Sequence, residues 1–168
     1  MRERPKFTDE AIKAAAVERL LPRVREWVRS GNGDDAEANI RRDLLESFDV
    51  DGYHFARDLE QRCHWEVDAE LVELLDDGAA LGLFDALRDA EREWVKETGE
   101  APALGIGGRC RFTQQGKTYD GSVIGIEDHG YYRVFSVALG HVPSGKIGTQ
   151  AVYVAWEHVT PILPEDPA

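Results

Sequence analysis

Side chains able to grip a metal or attack a carbonyl are scattered along this chain. His54, His64, His129, His141 and His158, with Cys63 and Cys110, fall into no C-x-x-C, H-E-x-x-H or H-x-x-x-H spacing. Cys63 and His64 are adjacent, and adjacent side chains on a helix diverge. They read as a core cysteine followed by a histidine at a helix end, where a cation suits the dipole. The stretch from Ser47 to Asp58 matches part of an EF-hand loop, with Asp49, Asp51 and Gly52 at its third, fifth and sixth positions. Ser47 replaces the first ligand, His54 the aliphatic eighth residue and Asp58 the bidentate Glu, so a turn carrying an N-cap is expected. Gly105-Ile106-Gly107-Gly108 runs into a strand, whereas a phosphate cradle runs into a helix N-terminus; a linker is expected there. No G-x-S-x-G elbow or activated-cysteine signature occurs, and no two carboxylates single themselves out as acid and base. The expectation is no catalytic residue, no metal and no cofactor.

Charge offers a sharper signal. Between Arg62 and Arg88 there is no Lys or Arg, yet Glu66, Asp68, Glu70, Glu73, Asp76, Asp77 and Asp85 lie there. Glu66, Glu70, Glu73 and Asp77 share one face if a helix extends that far. Like charges at that spacing destabilise a helix by roughly 0.2–0.5 kcal/mol each. Farther on, Asp85, Asp89 and Glu93 are each followed three residues later by Arg88, Arg92 and Lys96, a compensated face. The uncompensated stripe, with Asp76 beside it, reads either as a solvated face or as a docking surface for a basic partner.

The C-terminal third carries aromatics on short alternating runs. Alternation puts Tyr131, Arg133 and Phe135 on one face and Tyr132 and Val134 on the other, while Tyr153 opposes Val152, Val154 and Trp156. Tyr131, Phe135 and Tyr153 are the candidates for an exposed aromatic surface, a cage for a methylated cation or a platform for bases.

The elements that position these groups follow from composition and periodicity. Net charge is −12, carried almost wholly by the middle: residues 1–33 sum to +3, 34–100 to −14 and 101–168 to −1. Such a balance argues against direct nucleic-acid binding by the helical part. The cysteines make a poor disulfide framework, no apolar run reaches the roughly 18 residues of a membrane span, and no signal-peptide core follows the start; a soluble cytoplasmic protein is expected.

Thr8 is the expected cap of a first helix with Ile12, Ala16, Leu20, Val24 and Trp27/Val28 inward, kinked or restarted at Pro22. Asp34 and Glu37 have capping-box spacing before a helix lined by Ile40, Leu44 and Phe48. Asp51 caps the next, lined by Phe55, Ala56, Leu59 and Cys63, and Asp68 caps one carrying Leu71, Val72 and Leu75. Gly78 and Gly82 weaken the chain before a further stripe, Ala80, Leu83/Phe84, Leu87, Ala90 and Trp94, that stops at Gly99. Strands are expected at Arg109–Thr113, Tyr119–Ile126, Tyr131–Val137 and Ala151–Trp156, with hairpin loops at Gln115-Gly116-Lys117 and Asp128-His129-Gly130. A longer loop covers Ala138–Thr149, and Glu157–Pro161 forms a short turn and last edge segment.

Trp94-Val95-Lys96-Glu97-Thr98-Gly99, then Pro102, then Gly108-Arg109-Cys110-Arg111-Phe112 resembles small uncharacterised proteins of phages and mobile elements, with Cys110 where those patterns usually carry Val. Gly121-Ser122-Val123-Ile124-Gly125-Ile126, Tyr132-Arg133-Val134 and Tyr153–Val159 resemble an SH3-like or Tudor-like barrel. Periodicity and composition give an acidic helical domain over 1–99, a linker over 100–108 and a tail over 164–168, and the resemblance implies an SH3-like antiparallel barrel over 109–163, an α+β chain in all. The functional expectation is a non-enzymatic phage protein that engages a basic partner through Glu66, Glu70, Glu73, Asp76 and Asp77. In its sharpest form it inhibits a host nucleic-acid machine, as anti-CRISPR proteins do. The alternatives are an adaptor whose barrel binds nucleic acid or a protein tail, and an enzyme with an unrecognised site; no membrane partner is expected.

Overall fold

A computed structural model describes residues 3–31, 37–136 and 151–163. Four helices precede a five-stranded antiparallel sheet: α1 (Glu10–Gly31), α2 (Glu37–Ser47), α3 (Gly52–Cys63), α4 (Ala69–Thr98), β1 (Arg109–Gln114), β2 (Lys117–Glu127), β3 (Tyr131–Phe135), β4 (Ala151–Ala155) and β5 (Val159–Pro161). The chain divides into two compact units at Ala90/Glu91, eight residues before the helix end, whereas the sequence suggests a boundary at residue 99. No described helix is long and apolar enough to cross a membrane. The Asp34 half of the expected capping box, Val137, the loop at Ala138–Thr149 and the tail at 164–168 lie outside the described residues.

In the helical unit, Val17, Leu20, Val24, Ile40, Leu44, Phe55, Leu59, Leu71 and Leu75 form one fully buried core. Helix starts are set by side chains that satisfy otherwise orphaned amides. Asp51 accepts from the His54 amide at 2.9 Å, and Asp68 from the Leu71 amide at 2.8 Å. α3 ends where His64 adopts a left-handed conformation (φ 59°) and its amide returns to the Leu59 carbonyl. At the first helix Asp9, not Thr8, takes the cap position: its carbonyl accepts the Ile12 and Lys13 amides, and its carboxylate accepts the Lys6 amide at 2.9 Å.

Neither Pro22 nor the α4 glycines break a helix. α1 runs through Pro22 as one helix with no restart there, the ring lying on the exposed side. α4 runs 30 residues through Gly78 and Gly82. The physical reason for those glycines is close approach to α1. A Cβ on Gly78 would stand 2.5 Å from Leu20 Cδ1, and one on Gly82 would stand 3.3 Å from the Ala16 carbonyl oxygen. Packing against α1 outweighs the roughly 1 kcal/mol propensity cost of each glycine.

In the sheet unit the strand order is β4-β3-β2-β1-β5. β2 is long enough to serve two neighbours: Lys117–Ser122 pairs with β1 and Ser122–Glu127 with β3, with a register shift between Val123 and Gly125. Gln115 and Gly116 both have positive φ, as a two-residue type I′ hairpin requires. A 3-10 turn, Trp156–His158, leads into β5, which returns to β1. Cys110, Phe112, Val123, Tyr132, Val134 and Val154 fill the core of this unit. Alternation places Tyr132 and Val134 inside and leaves Arg133 exposed with Tyr131 and Phe135 half-buried, as the sequence suggests. The 100–108 segment is tied to the sheet at its far end. Leu104 donates its amide to the Tyr132 hydroxyl at 2.9 Å, and Gly107 its amide to the Val123 carbonyl at 2.8 Å.

Candidate functional site

The acidic stripe is built by the first half of α4. Glu70, Glu73 and Asp77 project from one face, all three exposed and, among the described residues, without an ion-pair partner. From α1, Arg19 bonds Asp89 at 2.6 Å and Arg25 bonds Glu37 at 2.6 Å, while the Arg23 guanidinium lies against α4 at Gly78 without an ion pair to the three carboxylates. Several other acids on the helices are compensated, whereas Glu26 and Glu60 stand singly, exposed and without an ion-pair partner among the described residues. The hydrogen bond from Arg41 lowers the Glu18 carboxyl pKa, while Asp58, Asp85 and Glu93 pair with Arg62, Arg88 and Lys96.

Two members of the expected stripe belong elsewhere. Glu66 precedes the Asp68 cap and is therefore off the helix, in the connection after α3; the cap itself excludes it from the α4 face. Asp76 points to a structural task, accepting the Gly52 amide at 3.2 Å at the start of α3. The sequence missed what continues the stripe. Leu81 is 66% exposed and Phe84 55%, on the same face as Asp77 by their spacing, and Phe84 meets Phe7 edge to face at 5.1 Å. Phe84 was expected to point inward with Leu83; only Leu83 is buried.

Glu66 instead lines a polar cavity of about 450 Å³ with Trp27, Arg42, Asp43, Cys63, His64 and Trp65. The two indoles stack at 6.2 Å, and each gives its N–H to a carboxylate: Trp65 to Asp43 at 3.0 Å, Trp27 to Asp68 at 3.2 Å. Asp43 is buried and also accepts from Arg42 at 2.8 Å. Cys63 contacts the Ser47 hydroxyl at 3.6 Å rather than the neighbouring imidazole of His64. Among the described residues no three His, Cys, Asp or Glu side chains come together as metal ligands. The Asp49–Asp51 segment is a turn, with Asp49 accepting the Asp51 amide at 2.9 Å.

The three sheet aromatics are not gathered into a cage. Tyr131 gives its hydroxyl hydrogen to Glu91 at 2.8 Å and packs against His129. Tyr153 is 61% exposed on β4, across from Arg133. Phe135 lines an open cleft of about 690 Å³ with Arg109, Arg111, Tyr119 and Asp120. Arg111 hydrogen-bonds Asp120 in two places, at 2.7 and 3.0 Å, and holds its carboxyl below the ordinary range. No family model, no curated protein and no solved structure matches this chain.

Proposed function

We propose that this chain is a non-enzymatic binding protein whose acidic helical unit docks on a basic surface of a partner. The uncompensated face Glu70–Glu73–Asp77 carries this reading. Glu70 lies in the first turn of α4, where the helix dipole offsets its charge. Glu73 and Asp77 lie beyond that turn and simply repel, at about 0.2–0.5 kcal/mol per pair. Glu26 and Glu60 are also exposed and unpaired among the described residues but stand singly, whereas Glu70, Glu73 and Asp77 share one face, so this face keeps a cost that a basic partner would relieve. A partner that normally holds nucleic acid in a basic channel fits that chemistry, which is the mode of an anti-CRISPR-like phage inhibitor.

The finer reading of the sheet is an SH3-like barrel. Three features support it: β2 shared between two neighbours, a 3-10 turn before the last strand, and the return of β5 to β1. A second function is favoured by the cleft on that sheet. Arg109, beside an Arg111 already held on Asp120 and flanked by Tyr119 and Phe135, suits a nucleic-acid backbone or an acidic protein tail that competes with Asp120, the adaptor role.

Capture from host lysate separates the two. The variant Glu70→Gln/Glu73→Gln/Asp77→Asn is expected to lose basic proteins that the wild type retains, with its fold unchanged or slightly stabilised. A variant that captures the same proteins at every salt concentration refutes the acidic docking face. Loss on Arg109→Ala/Arg111→Ala instead assigns binding to the cleft.

A further inference from the structure

α4 carries more than charge on its outward face. Positions 70, 73, 77, 81, 84 and 88 recur every three or four residues and so share one side of the helix. In order they are Glu70, Glu73, Asp77, Leu81, Phe84 and Arg88. The acidic part spans about 10 Å along the axis and the apolar part lies about 16–21 Å from Glu70, at 1.5 Å per residue. Leu81 and Phe84 are more than half exposed, and Phe7, 43% exposed, widens the apolar end through its edge-to-face contact with Phe84. Scattered single hydrophobics on a surface need no explanation; three in contact or one helix turn apart, continuing a row of unpaired carboxylates, form a surface of two chemistries.

We infer that this face receives an amphipathic helix of a protein partner, with Lys/Arg over Glu70–Asp77 and large apolar side chains over Leu81, Phe84 and Phe7. The inference rests on the acidic docking face proposed above and adds to it the class of partner. A purely basic groove satisfies the carboxylates and leaves the apolar end wet; a helix carrying both residue types in that order satisfies both. Charge selects against a second copy as occupant, because two chains of net charge −12 would be brought together by their acidic units. Leu81 and Phe84 then act as anchors that slow dissociation, while the carboxylates speed encounter and set orientation.

The test uses two fluorescent helical peptides of about 20 residues, the length of the face, and equal net charge. One carries Lys/Arg on one end and Leu/Phe on the same face of the other end; in the second, Gln replaces the Leu/Phe. Binding is read by anisotropy at low and high salt, against the full chain, Leu81→Ser/Phe84→Ser and Glu70→Gln/Glu73→Gln/Asp77→Asn. Both variants alter exposed side chains, and urea unfolding on the same samples verifies the fold; Phe7→Ser supplies an independent lesion of the apolar end. The amphipathic peptide is expected to bind the wild type at least about tenfold tighter than its polar control, and Leu81→Ser/Phe84→Ser to abolish that margin. The charge variant is expected to weaken both peptides and flatten their salt dependence. Equal binding of the two peptides, unchanged by Leu81→Ser/Phe84→Ser, overturns the amphipathic partner and leaves the acidic face standing. Failure of both peptides to bind at low salt overturns the acidic face and this inference together. Sedimentation of the wild type as a dimer that Leu81→Ser/Phe84→Ser dissociates overturns the choice of occupant and assigns the apolar end to a second copy.

Discussion

Replacing Gly52 by alanine tests how α3 meets α4. An ideal Cβ at this position lies 2.4 Å from the Asp76 amide nitrogen and 2.5 Å from its Cα, where ordinary contacts begin near 3.4 Å. The obstacle is helix backbone, which cannot rotate away, so α3 must withdraw by about 1 Å, enough to forfeit a quarter to a half of each affected dispersion well. Phe55, Ala56 and Leu59 on α3 share one core with Leu71 and Leu75 on α4, so this loss falls on fully buried side chains. The Gly52 amide, which donates to Asp76 Oδ1 at 3.2 Å, moves with the helix. Overpacking of this kind costs about 1–3 kcal/mol, and the backbone obstacle places it at the upper end. The gain in helix propensity returns at most about 1 kcal/mol. The expected net effect is a destabilisation of about 2 kcal/mol, which lowers the urea midpoint of the helical unit without changing the slope. Near-UV circular dichroism, sensitive to the stacked Trp27–Trp65 pair, reports on this unit. Gly78→Ala is the comparison, since its Cβ meets the ends of two side chains, Leu20 Cδ1 at 2.5 Å and the Arg23 guanidinium at 3.3 Å, which can shift where helix backbone cannot; a smaller loss than at Gly52 is expected. A Gly52→Ala chain as stable as the wild type refutes the described crossing, and with it the structural role given to Asp76.

The two carboxylate caps should differ in cost. Asp51→Ala removes one cap bond, worth about 1 kcal/mol, whereas Asp68→Ala also strips the Trp27 N–H of its acceptor and should cost about twice as much by urea unfolding; equal losses would refute the second role of Asp68. Acid should weaken both units in a defined direction. Hydrogen bonds from Arg41, Arg111 and Arg92 lower the carboxyls of Glu18, Asp120 and Asp128 in the folded chain. A lowered folded value contributes stability that is complete above the ordinary carboxylate range, about 4, and is lost as pH falls through the lower folded values. Arg111→Gln should shallow that acid limb for the sheet unit, and an unchanged limb would show that the exposed Arg111–Asp120 pair contributes nothing.

The sheet was readable because alternation and turn chemistry agree with each other. Tyr131–Phe135 alternates cleanly, and Gln115-Gly116 supplies a turn of the hand a hairpin needs. Asp51 and Asp68 were readable as caps because a cap is a local bond. Gly78 and Gly82 misled, since a glycine that admits a neighbouring helix looks in sequence like one that ends its own. Glu66 could have been excluded from the stripe by the Asp68 cap alone. The apolar end at Leu81 and Phe84 was missed because Phe84 stands beside Leu83 in an inward stripe, and one residue, 100° around a helix, separates buried from exposed. Arg111 with Asp120 was illegible because their pairing depends on strand register.

The placement of the two thiols gives the sheet unit a built-in clock. Cys110 is fully buried in the sheet core, and burial together with the Asp120 charge pushes its thiol pKa up. An alkylating reagent can therefore reach it as thiolate only when the sheet opens, so the ratio of its labelling rate to that of an unstructured peptide thiol measures the free energy of that opening. Cys63, half-buried at the end of α3 and lining the polar cavity, does not need that opening to be reached and serves as a reference thiol in the same tube. Two labelled masses followed against time would thus report the opening of the sheet unit against an internal reference, without any engineered probe.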